Sequence, residues 1–300
     1  ADAGLAIGIE VHLHSATILI TNMNAEILHE GVVSFSDNTN PKAILTRINR
    51  SIEKMVGDED KMKSILGVGI ALPGLIDYEA GSILSTHSLK DWEGFPIKTF
   101  LEDSLDTKVY MENDVKTITL GEYHWGAGQQ AKNVVYIWLG EGIGAGIIIN
   151  GDIYRGITAS AGEVGYTEIS ARGIHRGKYP ILYQDQRRFG EILTTSHLEF
   201  SMQQAVNANG STSVLKDSEI NLQSIAAAAK NNDALSLDAL KEFGEILGVL
   251  TIGVINLFNP ELIIMGGPVI DKCPMVLESA TRSAKSDVLL IPAEVVEIKV

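Results

Sequence analysis

The sequence predicts an α/β protein of two similar domains with a ligand cleft between them. Three observations carry that reading. Short apolar strands and helices recur as strand-strand-strand-helix blocks, which imply mixed α/β layers. Two β-meanders, one opening at Leu5 and one at Val134, echo each other and suggest a duplicated architecture. A chain of 300 residues that is 45% hydrophobic and 21% charged can bury a large core and is long enough for two domains.

The elements follow in order. Leu5 to Val11, Ser15 to Thr21 and Glu26 to Phe35 read as three strands joined by turns. A helix comes next, with Asn40 to cap it, Pro41 in its first turn and Gly57 to end it, and Ile44, Ile48, Ile52 and Val56 line one face. Val109 to Met111 is a short apolar strand leading into a helix that begins near Val115. Val134 to Leu139 and Ile143 to Ile149 are β-branched enough for buried strands, and Asn150-Gly151 is a strong hairpin signal. A long helix is expected from Leu237 to Phe258, capped by Ser236 and stopped before Pro260, with Ile263 to Met265 re-entering as a buried strand.

Composition narrows the function classes. A net charge of −14 argues against these residues gripping nucleic acid alone, because Lys and Arg supply most nonspecific affinity for phosphate. The basic clusters, Arg172, His175, Arg176 and Lys178, then Arg187 and Arg188, are short and read as a solvated surface or a cover for the ligand cleft. The lone cysteine, Cys273, excludes an internal disulfide framework and fits a reducing cytoplasm. No apolar run approaches the length of a transmembrane helix, so no membrane partner is expected.

The segment Leu139 to Tyr166 holds the most chemistry. Gly140, Gly142, Gly144 and Gly146 recur at every second position, so one face lacks side chains: either something approaches the backbone there, or the turn is a bulge in a tightly packed sheet. Such a turn approaches phosphate when its N–H groups are free and no negative side chain competes, yet Glu141 sits inside it.

Six blocks in order resemble the ROK family of repressors, open reading frames and sugar kinases. They are the glycine turn with Asn150-Gly151, Ala161-Gly162-Glu163-Val164-Gly165-Tyr166, the loop Gly69 to Gly74, Glu112-Asn113-Asp114, Gly121-Glu122 with Gly126-Ala127-Gly128, and Asn259-Pro260-Glu261 with Gly266-Gly267. The resemblance implies an actin-like ATPase (ribonuclease H-like) fold, with a first domain over 1–115 and a second over 116–300. The family usually returns a last helix to the first domain, which cannot be found before Val300, so the second domain is expected to be cut short.

The resemblance also assigns residues. In the kinases the Asp of E-N-D is the general base toward the sugar hydroxyl, which makes Asp114 the base if this chain is a kinase and Asn113 its hydroxyl-binding neighbour. N-capping of the following helix explains the same pair and is compatible with ligand binding. Glu163 matches a carboxylate contact suited to vicinal diols. Glu191 falls loosely where the family has another, although a solvated glutamate at a helix start fits equally. Ser88 lies where many members have Asn, Trp92 reads as packing, Tyr166 offers a phenol or fills space, and Gly74 holds the loop beside the ligand.

The phosphate loops depart from the kinase pattern. Where the kinases have Asp-x-Gly-Gly-Thr, this chain has Glu10-Val11-His12-Leu13-His14-Ser15, whose bulk blocks close backbone approach. His12 and His14 form no convincing metal pair and read as surface or packing residues. Glu141 replaces a Thr, and with Gly142 marks a second degraded loop. A carboxylate about 4 Å from a phosphate charge costs on the order of 4 kcal/mol at an effective dielectric near 20. The family's structural zinc ligands, one His and three Cys, are all absent: Tyr166 takes the His place, 167–200 contain no cysteine, and His175 and His197 cannot rebuild the site.

The expectation is therefore a non-catalytic, sugar-sensing effector portion of a regulator of the repressor branch, in the manner of xylose repressors, with no cofactor and no zinc. Two alternatives stand beside it, an ATP-dependent sugar kinase and a ligand-free pseudokinase or scaffold. The expected partner is a monosaccharide or sugar derivative, and family members usually form homodimers. DNA would be met only through a helix-turn-helix not found in this chain, which enters its first strand directly after Ala1-Asp2-Ala3-Gly4.

Overall fold

The computed structural model describes residues 4–36, 40–169, 180–183, 186–208 and 212–300. The chain divides into two units, Ala1–Thr117 and Ile118–Val300.

Unit 1 opens on the expected meander, β1 (Leu5–Val11), β2 (Ser15–Asn22) and β3 (Ile27–Ser34). β3 starts one residue later than expected, because Glu26 is taken into the turn by its N–H bond to Asn22 Oδ1 at 3.1 Å. Then come α1 (Pro41–Val56), α2 (Glu59–Met62), β4 (Ile65–Leu72), the small hairpin β5 (Leu75–Asp77) and β6 (Ser82–Ser85), α3 (Ile97–Leu105), β7 (Val109–Asn113) and the first turn of α4 (Asp114–Trp125), a helix that from Ile118 on belongs to unit 2. The sheet order is β3-β2-β1-β4-β7, with β1, β4 and β7 parallel and the meander antiparallel.

The punctuation of α1 is as the sequence reads. Asn40 Oδ1 accepts the Ala43 N–H at 3.0 Å, Pro41 occupies the first turn, and Gly57 closes the helix at φ 72°. Ile44, Ile48, Ile52 and Val56 are buried with Leu45 against Ile7, Ile9, Ile18 and Ile20 of the sheet. Each such side chain contributes roughly 1.5–3 kcal/mol on removal from water.

Unit 2 repeats the scheme with β8 (Val134–Leu139), β9 (Ile143–Ile149) and the two-residue β10 (Asp152–Ile153). After two short turns at Val164–Tyr166 and Phe189–Glu191 follow α5 (Thr195–Asn207), α6 (Leu222–Lys230), α7 (Ala234–Phe258), β11 (Leu262–Gly266), α8 (Pro268–Lys272), α9 (Pro274–Asp287), α10 (Leu290–Val295) and β12 (Glu297–Lys299). The order β10-β9-β8-β11-β12 has the same antiparallel and parallel pairings as the first sheet, so the echo read from the sequence is a duplicated topology.

The long helix α7 begins at Ala234 rather than Leu237, and its cap is Asp233 rather than Ser236. The Asp233 carboxylate accepts both the Ser236 N–H at 2.9 Å and its hydroxyl at 2.8 Å, so the expected cap is a donor inside the first turn. At the far end Asn259 adopts φ 43° and donates to the Ile255 carbonyl. Among the described residues no helix is long and apolar enough to cross a membrane.

Candidate functional site

In unit 1 the candidate residues gather where β7 meets α4. Both hydrogens of the Asn113 amide are used and one acceptor position of Oδ1 is left over: Oδ1 accepts the Lys116 N–H at 3.1 Å, while Nδ2 donates to the Gly74 carbonyl at 3.1 Å and to Asp114 Oδ1 at 2.9 Å. A carbonyl can only accept, so the Gly74 contact fixes which end of the amide carries the hydrogens. Asp114 Oδ1 also accepts the Val115 N–H at 2.8 Å. Asn113 therefore caps α4 and orients the neighbouring carboxylate at once.

Gly74 is required on two grounds. Its φ is 108°, and a Cβ there would stand 2.8 Å from Thr86 Cβ. Thr86 shapes the next turn, where its Oγ1 accepts the Ser88 and Leu89 N–H groups at 3.3 and 3.4 Å and lies 3.5 Å from Ser88 Oγ. Trp92, at the end of that turn, is fully buried and acts as packing.

Two residues of this region were given no role by sequence reasoning. Glu112 accepts a very short hydrogen bond from Tyr78 Oη and the Asn113 N–H at 2.9 Å, so the first letter of the E-N-D block braces the second. Lys116 is 2% exposed, a burial that no sequence signal announces because lysines are ordinarily at the surface.

In unit 2 the segment Ala161 to Tyr166 is packed onto β9. The Gly162 carbonyl accepts the Ala145 N–H at 2.8 Å, Gly162 has φ 95°, and a Cβ there would overlap the Ala145 carbonyl. That contact sets down Glu163, which is half-buried. Among the described residues its carboxylate has no hydrogen-bond partner.

Gly165 lies directly against Gly190, where a Cβ on Gly190 would be 3.0 Å from the Gly165 carbonyl. The Phe189 N–H donates to Thr167 at 3.2 Å and Ile169 to the Arg187 carbonyl at 2.8 Å, so the two turns are stitched side by side. Glu191 is exposed and bends back to accept the Arg187 and Arg188 N–H groups at 2.7 and 3.3 Å. Its carboxylate closes its own turn. The Arg188 guanidinium stands 5.3 Å from the centre of the Tyr166 ring, a cation–π contact on a half-exposed phenol.

The glycine turn joins β8 to β9. Gly140 donates its N–H to the Gly142 carbonyl at 3.0 Å, and its own carbonyl accepts the Thr195 N–H at 2.8 Å, tying the turn to the start of α5. Glu141 and Gly142 are exposed, and nothing stands near Gly142 where a side chain would be. The expectation of one open glycine face holds at Gly142 but not at Gly146, where the Thr119 hydroxyl of α4 fills the space and the close approach is internal packing. In unit 1 the β1–β2 turn carries His12, Leu13 and His14, all exposed, and His12 Nε2 lies 3.6 Å from Glu10 Oε2.

Cys273 is 3% exposed, and burial pushes its thiol up to about 11, so it is unreactive. Among the described residues no group of three or more His, Cys, Asp or Glu is placed to hold a metal. Arg172, His175, Arg176 and Lys178 lie outside the described residues.

Paired mixed sheets of this order, with a polar turn following the first strand in each, define the actin-like ATPase fold. The chain belongs to the ROK family, whose pattern it matches over residues 6–299. It is 28% identical over 294 residues to the xylose repressor of Bacillus spizizenii, covering 95% of this chain and 70% of that one. It is also 28% identical over 272 residues to a glucokinase of Halalkalibacterium halodurans, covering 88% and 80%. Among solved structures it resembles a ROK-family transcriptional regulator homologous to the E. coli MLC protein, with a TM-score of 0.85 and 24% identity over 99% of this chain and 74% of that one. A Streptomyces griseus ROK glucokinase in complex with glucose and AMPPNP gives a TM-score of 0.72 and 26% identity over 94% and 89%.

Proposed function

We propose that these residues form the sugar-sensing, effector-binding part of a ROK-family transcriptional regulator that does not transfer phosphate. The observation that carries the reading is Glu141, exposed at the tip of the glycine turn. A γ-phosphate seated there meets a like charge, and the Gly140 N–H is already committed to Gly142. The His12-Leu13-His14 turn supports it, because a phosphate cannot approach a backbone shielded by three side chains. The xylose repressor named above points the same way.

On this proposal Asn113, Asp114 and Glu163 are the residues that contact a monosaccharide, with Gly74, Ser88, Tyr166 and Glu191 in supporting roles. A carboxylate accepts two hydroxyl hydrogens in a defined geometry, and a sugar lacking one of those hydroxyls leaves a polar group unpaired. Sugar binding favours one conformation of a two-state protein, and that shift is the signal. The proposal includes no nucleotide, no structural zinc, a homodimer in the cytoplasm, and DNA contact through a helix-turn-helix outside these residues. Metal analysis after chelator washing tests the zinc clause, and a stoichiometric signal contradicts it.

The second reading, an ATP-dependent sugar kinase, is favoured by the Asn113-Asp114 arrangement and by the glucokinase relative. Coupled-assay turnover of Mg-ATP with D-xylose, D-glucose and N-acetyl-D-glucosamine separates the two. The proposal expects no sugar-dependent turnover above an Asp114→Ala control. Turnover that this substitution abolishes establishes the kinase instead.

A further inference from the structure

The loop at residues 180–183 is held by a clamp that the sugar-binding reading does not use. Glu242 lies in the middle of α7 and is 9% exposed. Its carboxylate faces backbone rather than a cation: Oε2 accepts the Ile181 N–H at 3.0 Å and the Leu182 N–H at 2.9 Å. From α5, His197 Nε2 stands 2.8 Å from the Leu182 carbonyl and 3.2 Å from Ser201 Oγ. Because the carbonyl can only accept, Nε2 carries a hydrogen at that contact.

Leu182 is thus fixed at its N–H by α7, at its carbonyl by α5 and by its fully buried side chain in the core. An exposed loop has its N–H groups satisfied by water at little cost. Burying a carboxylate to satisfy two of them is expensive and yields a fixed backbone position. Arg187 follows only five residues later, within roughly 18 Å of chain even when fully extended. Its turn is stitched to Thr167 and Ile169 and rests, Gly190 on Gly165, against the segment that carries Glu163.

We infer that Glu242 and His197 are positioning residues for the sugar site of unit 2, setting the placement of Glu163 and Glu191 through the backbone of Ile181 and Leu182 without touching the ligand. The inference rests on the sugar-binding reading for its consequence, but its geometry is tested without any sugar.

The test is hydrogen–deuterium exchange on the ligand-free protein and the variants Glu242→Ala, Glu242→Gln, His197→Ala and His197→Gln. The Gln side chain at 197 still offers a donor to the Leu182 carbonyl, and Gln at 242 keeps the shape with one acceptor oxygen. Glu242→Ala and His197→Ala should speed exchange in peptides covering 163–169 and 187–191 while leaving α1 and the first sheet unchanged, and the Gln variants should restore most of the protection. For whichever of D-xylose, D-glucose and N-acetyl-D-glucosamine the parent protein binds, affinity should fall about tenfold in the Ala variants, the order seen when a supporting group rather than a contact is lost. Faster exchange confined to 180–183, or spread evenly through unit 2, overturns the inference. If Glu242→Ala does not fold, the His197 pair decides it alone. A parent protein that binds none of the three sugars counts against the sugar-binding reading, while the exchange result still decides the clamp.

Discussion

Two buried carboxylates, Asp233 and Glu242, show how differently one kind of group is used in this chain. Burial by itself raises the Asp233 pKa, but donors from Ser236, Val214 and Ser213 outweigh it and hold the group below its ordinary value. Its contribution to stability is therefore present above the unfolded value of 3.8 and is lost as pH falls through the lower folded value. For Glu242 burial wins over the Leu182 and Ile181 donors, with Asp238 and Glu245 pushing the same way, and the pKa is raised. Stability then declines as pH rises from the unfolded value of 4.5 through the higher folded one. Thermal melts across pH 3 to 8 should show Asp233→Asn losing the acid-side rise and Glu242→Gln losing the decline above it. Identical profiles for all three proteins contradict both assignments. Asp233→Ala should also cost about 1–2 kcal/mol as a lost helix cap, measured by urea unfolding.

Gly162 is held by its backbone rather than by a side chain. Its left-handed backbone and its seat on the Ala145 carbonyl leave no room for a methyl group, so Gly162→Ala should destabilise unit 2 by roughly 3 kcal/mol or more. An Ala variant of wild-type stability argues that the segment is not packed on β9. In the sequence this glycine was legible only as part of a family pattern. Its reason, a backbone-to-backbone contact with Ala145 of β9, is tertiary and leaves no local signal.

Among the elements, legibility tracked how local the causes are. α1 was readable end to end because its cap, first-turn proline, apolar stripe and terminal glycine all act within one turn of themselves. The start of α7 was misplaced because Asp233 and Ser236 are both good caps, and what selects Asp233 is its bonds to Ser213 and Val214, which the sequence does not pair with it. α7 also crosses α9 at two glycines. A Cβ on Gly244 would lie 2.5 Å from Ser279 Cβ, and one on Gly248 would lie 2.8 Å from the Ala280 carbonyl. Gly248→Leu should force the helices apart and cost about 3 kcal/mol in overpacking, whereas Gly253→Ala, with open space around it, should be neutral or slightly stabilising. Urea unfolding of both variants checks the contrast.

At the scale of the whole chain, the duplicated sheet topology and the family were legible, because strand alternation, turn residues and ordered motifs are written in the primary sequence. The candidate site was legible in part. Asn113, Asp114 and Glu163 could be proposed from motifs, but the bracing role of Glu112 and the burial of Lys116 could not, since both depend on packing. Glu191 and Tyr166 are engaged by their own neighbours, Glu191 in closing its turn and Tyr166 under Arg188. On the proposed function, substitutions should therefore separate: Glu163→Gln weakens sugar binding strongly with little change in melting temperature, while Glu191→Gln lowers stability and weakens sugar binding only modestly.

On the proposed function this ROK chain binds a sugar and has no use for ATP. Isothermal titration calorimetry with D-xylose, D-glucose and N-acetyl-D-glucosamine, each with and without Mg-AMPPNP, addresses it most directly. At least one sugar should bind, the nucleotide alone should give no binding heat, and the sugar isotherm should be unchanged in its presence. Saturable nucleotide binding that tightens with sugar contradicts it and makes Glu141 a tolerated feature of a working kinase.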